Sequence, residues 1–173
     1  MSTRTSTVVL WLFVINLGVA FGAGVYEHRI VVPQWLTSSS PEGPTWSAEA
    51  AREADTGLRF WAFASTGPLT ILTVLNLLAA RHASGATRRW WLASAGAALT
   101  ERLFTFAYFI PTMVGLMGAP DSAESVDTAA RWVTLNHLRH TIVVGAWLAA
   151  LQTFALVHQQ QGAVGTPPKG VHR

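Results

Sequence analysis

The sequence predicts an all-α integral membrane four-helix bundle, with both termini cytoplasmic and a long outer loop between helices 1 and 2. Three observations predict it. Half of the 173 residues are hydrophobic, only 12% are charged and the mean hydropathy is +0.32, a composition outside the range of soluble domains. Apolar runs long enough to cover a hydrocarbon core of about 30 Å recur along the chain. One side of those runs carries basic residues and no acid, while the acids of the loops lie on the other.

The first span, about 6–27, rests on the absence of any charge from Thr5 to Tyr26. Arg4 ahead of an apolar run ending in Gly22, Ala23 and Gly24 also fits a signal peptide, but the run is long for one and three further spans follow. From Glu27 to Arg59 the chain is too polar to insert, and Pro33, Ser38, Pro41, Gly43 and Pro44 break it up. Its second half, Ser47 to Asp55, reads as a short helix. The uncharged run Phe60 to Ala80 gives the second span, about 59–80. Arg81 to Arg89 joins it to the third, about 90–118, which is apolar but for Glu101, Arg102 and a few polar neighbours. A shorter outer loop, Asp121 to Ala130, leads to the fourth, about 131–158, interrupted by Arg139 and His140. Residues 1–161 thus form one four-span domain, and 162–173, rich in Gly and Pro, read as a disordered cytoplasmic tail.

Orientation follows from charge. One side carries Arg4, Arg81, Arg88, Arg89, Lys169 and Arg173 with no acid, and short loops of that kind stay cytoplasmic. Trp11, Trp35, Trp61, Trp90, Trp91 and Trp132 lie near span ends, as an aromatic belt requires. The sequence pI is 10.2, but the net charge is only +3 and the basic residues are scattered, so the basicity reads as topology and not as nucleic-acid binding. The lipid bilayer is the partner, and a multi-pass place in the cell membrane the expected location. With no cysteine there is no disulfide, thiolate ligand or cysteine nucleophile.

A charge at membrane depth costs about 2.5 to 3.5 kcal/mol, so each one must face the bundle interior, a wet cavity or a partner. Glu101, Thr105 and Tyr108 form one stripe of the third span; Trp132, Asn136, Arg139 and His140 form one of the fourth, with His137 beside it. Counted inward at 1.5 Å per residue, Asn136 to His140 lie about 6 to 12 Å deep, and Thr105 and Tyr108 about 15 to 20 Å. Together they suggest a polar pocket in the outer half of the bundle, covered by the long loop. Glu101 lies deeper, with Arg139 or Arg102 as its partner, and an ion pair that only fixes helix register is an equal reading. Asn16 and Asn76 read as packing residues.

Of the six histidines, His82, His158 and His172 fall at cytoplasmic ends. His137 and His140, three apart on one helix face, with His28 as a third donor, could ligate a metal or haem. Alternatively, one imidazole is a general base and no cofactor is bound.

The segments GVYEHRIVVPQW, WWLASAGAALTERLFTFAYFIPTMVGLM and RWVTLNHLRHTIVVGAWLAALQTF resemble the anthrone-oxygenase-like family of small four-helix membrane proteins, most of them uncharacterised. The resemblance covers nearly the whole length apart from the tail, and Trp132, Asn136 and Arg139 are its most specific part. It implies an oxygenase-like oxidoreductase acting on a lipophilic small molecule, with an anthrone-like aromatic as the named case. On that reading His140 or His137 is the base, Arg139 and Asn136 stabilise an enolate oxygen, and Tyr108 donates a proton. The pairs Glu101 with Arg102 and His137 with His140 depart from what the resemblance explains. Two other classes stay open: a small-solute or proton carrier, which with four helices requires a homo-oligomer, and a non-catalytic membrane subunit.

Overall fold

The structure, a computed structural model, describes residues 3–37 and 43–164, and the chain is mostly helical. Helix α1 (Thr3–Tyr26) runs without a break through a π-helical segment, π1 (Glu27–Val31), into α2 (Val32–Trp35). A small antiparallel hairpin follows, β1 (Leu36–Thr37) on β2 (Thr45–Trp46), with Leu36 opposite Trp46. Helix α3 (Ala48–Ala54) starts at Ser47, whose Oγ accepts from the Ala50 N–H at 3.2 Å, and closes on Asp55 in the left-handed region at φ 39°. The segment π2 (Gly57–Thr66) continues into α4 (Gly67–Ala80). After a tight turn, α5 (Gly85–Phe104), π3 (Thr105–Phe109) and α6 (Ile110–Met117) make one more continuous helical rod, and α7 (Ala123–Val164) is the longest helix.

Two boundaries correct the sequence reading. The first helix passes Tyr26 and ends only at Trp35, because Glu27, His28 and Arg29 interrupt apolarity without interrupting backbone hydrogen bonding. Asp121 to Ala130 is not a loop throughout, since α7 begins at Ala123. Residues 162–164 belong to α7, and the rest of the expected tail lies outside the described residues, as do Ser38 to Pro41.

Among the described residues three helices are long and apolar enough to cross a membrane: Arg4–Trp35, Gly57–Ala80 and Ala123–Gln160. The rod 85–117 bears Arg88, Arg89, Glu101 and Arg102 and is not among them. Large apolar side chains point outward from the three, including Val8, Leu12 and Ile15 of α1, Ile71 and Val74 of α4, and Leu148 of α7.

The π segments share one cause. Each ends two residues before a proline: Val31 before Pro33, Thr66 before Pro68, Phe109 before Pro111. Proline lacks the N–H that would bond the carbonyl four residues back, and its ring crowds that carbonyl; a wider turn with bonds five residues back relieves both. Such bonds close all three segments, from Val32 N–H to Glu27 O, Gly67 N–H to Ala62 O and Ile110 N–H to Thr105 O. Ala64 O, the carbonyl four residues before Pro68, instead accepts from Asn16 Nδ2 at 2.8 Å, tying π2 to α1.

Helix α7 packs on α1 and α5, and α4 packs on α1 and α5, which closes the helices around one core. Leu10, Phe13 and Leu17 of α1 meet Leu69, Ala98, Val143 and Ala146 there. Small residues bring α5 and α7 close enough for Ser94 Oγ to donate to the Ala146 carbonyl at 2.7 Å. Asn76 accepts from Trp91 Nε1 at 2.8 Å, joining α4 to α5. A second core lies under α2, α3 and the hairpin, where Trp35, Trp46, Phe109 and Trp132 meet edge to face. This cap is fastened to the end of α6: Trp46 Nε1 donates to the Leu116 carbonyl at 3.2 Å and Arg52 Nη1 to that of Met117, two groups that a helix end leaves without partners. Trp35, Trp91 and Trp132 are therefore buried inside the protein and do not form an outward-facing aromatic belt.

Candidate functional site

Beneath the cap lies a cavity of about 360 Å³. Its walls come from all three π segments, the end of α5, α6 and α7. Below it α4 and α5 are in contact. Most of the lining is apolar, with Trp35, Phe109 and Met113 on the capped side. Leu58, Ile110 and Val114 both line the cavity and are exposed, at 66%, 41% and 65%, so its open side lies between the start of π2 and α6 and has an apolar rim.

The polar part of the lining is a buried ion cluster. Glu101 is 1% exposed, and its Oε2 holds Arg102 by two contacts, Nε at 2.6 Å and Nη2 at 2.5 Å. Its Oε1 accepts from Thr105 Oγ1 at 2.9 Å and lies 3.9 Å from Arg139 Nε. One carboxylate thus serves two guanidinium groups. The Arg139 guanidinium lies over Phe109 at 4.7 Å from the ring centre and near Trp61 at 5.7 Å, so aromatic faces carry part of its charge. Among the described residues Arg139 donates no hydrogen bond, although it carries five N–H donors.

Glu27 is the second carboxylate on the lining and is 7% exposed. Its Oε1 accepts from Thr56 Oγ1 at 2.8 Å and from Trp61 Nε1 at 2.9 Å, and among the described residues no cation pairs with it within salt-bridge distance. Three other lining residues leave buried polar atoms without a partner: Ser65 Oγ, Arg102 Nη1 and His140 Nε2. Buried polar groups are ordinarily satisfied, so these three atoms are candidates to meet a ligand or water.

The residues expected from sequence divide into two groups. Glu101, Arg139 and His140 reach the cavity. Tyr108 does not line it, because the extra residue in π3 carries the face from Glu101 and Thr105 to Phe109 and turns Tyr108 aside. Asn136 is 1% exposed yet absent from the lining, with both amide atoms unpartnered. His137 is exposed and lines a different recess of about 430 Å³ between α1 and α7, together with His28, Arg29 and His140.

The histidine metal site expected from the spacing of His28, His137 and His140 does not fit this geometry. His28 and His137 stack edge to face, 4.2 Å between ring centres, while His140 turns onto the bare backbone of Gly24, where its Nε2 lies 2.3 Å from the position a Cβ would take. Among the described residues no group of three metal-ligating side chains converges. Sequence reasoning missed Glu27 as a site residue; the signal was an acid one residue past an uncharged run, on a helix that does not stop there.

No family model, no curated protein and no solved structure matches this chain.

Proposed function

We propose that the chain is a multi-pass protein of the cell membrane, a four-helix bundle with the cap outside, that binds a lipophilic small molecule in the capped cavity and oxidises it with molecular oxygen. The observation that carries this reading is an apolar, laterally open cavity ending at guanidinium donors that the protein itself leaves unused. The outward apolar faces of the three long helices support a membrane location. The rod 85–117 is the fourth span, and Glu101 and Arg102 lower the cost of their burial by pairing inside the bundle.

The reaction follows from the resemblance to the anthrone-oxygenase-like family. An anthrone-like ketone loses a benzylic proton to a base and becomes an enolate, whose oxygen Arg139 stabilises. The carbanion then reduces molecular oxygen. In total a CH₂ group and O₂ become a C=O group and water, so atoms and electrons balance without a further reductant. The test is oxygen uptake by the purified full chain in nanodiscs with anthrone, read beside empty nanodiscs. Uptake of one O₂ per anthraquinone formed, lost in Arg139→Gln, is the expected result. A rate equal to that of empty nanodiscs overturns the oxidase reading.

One observation favours a carrier instead: His140 stands in the wall of both the cavity and the His28 and His137 recess. A homo-oligomer moving protons or a small solute would show flux that depends on membrane potential.

A further inference from the structure

Charge in the cavity is arranged around one imbalance. The Glu101, Arg102 and Arg139 cluster carries two cations on one carboxylate, and its balancing charge, Glu27, stands apart and holds only neutral donors, Thr56 and Trp61. The titratable groups lining the cavity with Glu27 are Arg139 and His140 from α7, Glu101 and Arg102 from α5, and Asp55 beside the cap. Of these, Glu101 is spent on the two arginines and His140 is turned onto Gly24. Arg139 is nine-tenths buried, donates no hydrogen bond among the described residues and lines the cavity. Its one ion-pair partner among the described residues, Glu101, lies 3.9 Å away and is shared with Arg102, which leaves its N–H donors open to a ligand anion.

A buried site cannot take a free anion without losing charge balance, and the solution is to move a proton. We infer that the cavity recognises a lipid-soluble weak acid, holding its anion on Arg139 with Arg102 Nη1 beside it, while Glu27 takes up the proton. The acid and the Glu27 carboxylate become the bound anion and the Glu27 carboxylic acid, so the net charge of the cavity is unchanged. Trp61 couples the two halves, since its Nε1–H bonds Glu27 and its ring lies near the Arg139 guanidinium. The inference rests on the cavity being a ligand site. It makes Glu27, and neither His137 nor His140, the base for an enolisable substrate.

The experiment uses the full chain in nanodiscs under nitrogen, with 9-anthracenecarboxylic acid and its methyl ester as probes of nearly equal shape. Binding is read by tryptophan fluorescence, and proton exchange by calorimetry in buffers of different ionisation enthalpy. The acid is expected to bind at least about tenfold tighter than the ester, a difference of about 1.4 kcal/mol. Because the acid is already ionised in neutral water, its binding should take up about one proton per ligand. In Glu27→Gln, whose amide oxygen still accepts from Thr56 and Trp61, the preference for the acid should persist and proton uptake should vanish. Equal binding of acid and ester, or no proton uptake by the unaltered protein, overturns the inference. Unchanged uptake in Glu27→Gln overturns it as well. If acid preference and proton uptake are both present while anthrone gives no oxygen uptake, only the oxidase reading falls.

Discussion

Single side chains set both the stability and the polarity of the cavity. Glu101 is the shared counterion of two guanidinium groups at 2% side-chain exposure, so Glu101→Gln leaves buried positive charge without that counterion. Breaking a buried pair from one side costs about 3 to 5 kcal/mol, and thermal unfolding of the variant in nanodiscs should show a loss of that order. Unfolding at the wild-type midpoint would mean that water, and not Glu101, balances the arginines. Gly24 makes the complementary case from space. A Cβ there meets His140 Nε2 at 2.3 Å, and the atom met is the tip of a side chain that can turn aside, so Gly24→Ala should displace the imidazole at a cost of about 1 kcal/mol. Gly22, whose added Cβ meets nothing within 4 Å, is the control: Gly22→Ala should leave the midpoint unchanged or raise it. Legibility at this scale was uneven. Arg139 and Glu101 stood out because a charge inside an apolar span is conspicuous. Glu27 did not, since a carboxylate at the end of an uncharged run looks like the beginning of a loop, and only the continuing helix carries it into the cavity wall.

At the scale of elements, helices were readable and their phase was not. Long uncharged runs, the segment Ser47 to Asp55 and the polar interval after Ala80 marked where helices run, and the structure has helices there. The face each one presents depends on residues per turn, and a π turn adds one residue without any change in hydrophobicity. The sequence signal was the recurring proline two residues beyond each π segment, which by itself is equally consistent with a kink or a helix end. Pro111 offers the direct test. With alanine at that position the N–H returns, π3 can tighten into α-helix, and the register beyond it rotates, carrying Phe109 away from Arg139. The cation–π contact at 4.7 Å would be lost and Arg139 would shift in the cavity, so ligand affinity should change measurably. A variant with unchanged affinity would detach the π segment from the site.

The whole molecule makes a statement about sidedness. In the proposed orientation the cap, with Glu49 and Glu53 on α3, lies outside, and the turn before Arg88 lies inside. A chain without cysteine allows this to be tested one residue at a time. Glu49→Cys should react with a membrane-impermeant maleimide on intact cells and Arg88→Cys only after lysis; the reverse pattern would invert the topology. The open side of the cavity bears on everything measured afterwards. Its rim of Leu58, Ile110 and Val114 faces out between π2 and α6, beside helices whose outer surfaces are apolar, so under the proposed function the phase that competes with the protein for the ligand is hydrocarbon. Transfer from water into the bilayer then contributes nothing to selectivity, since it is complete before binding begins, and a dissociation constant written in moles per litre of buffer will drift with the amount of lipid in the tube. The natural unit is mole fraction in the membrane, and the relevant search is two-dimensional diffusion within a leaflet.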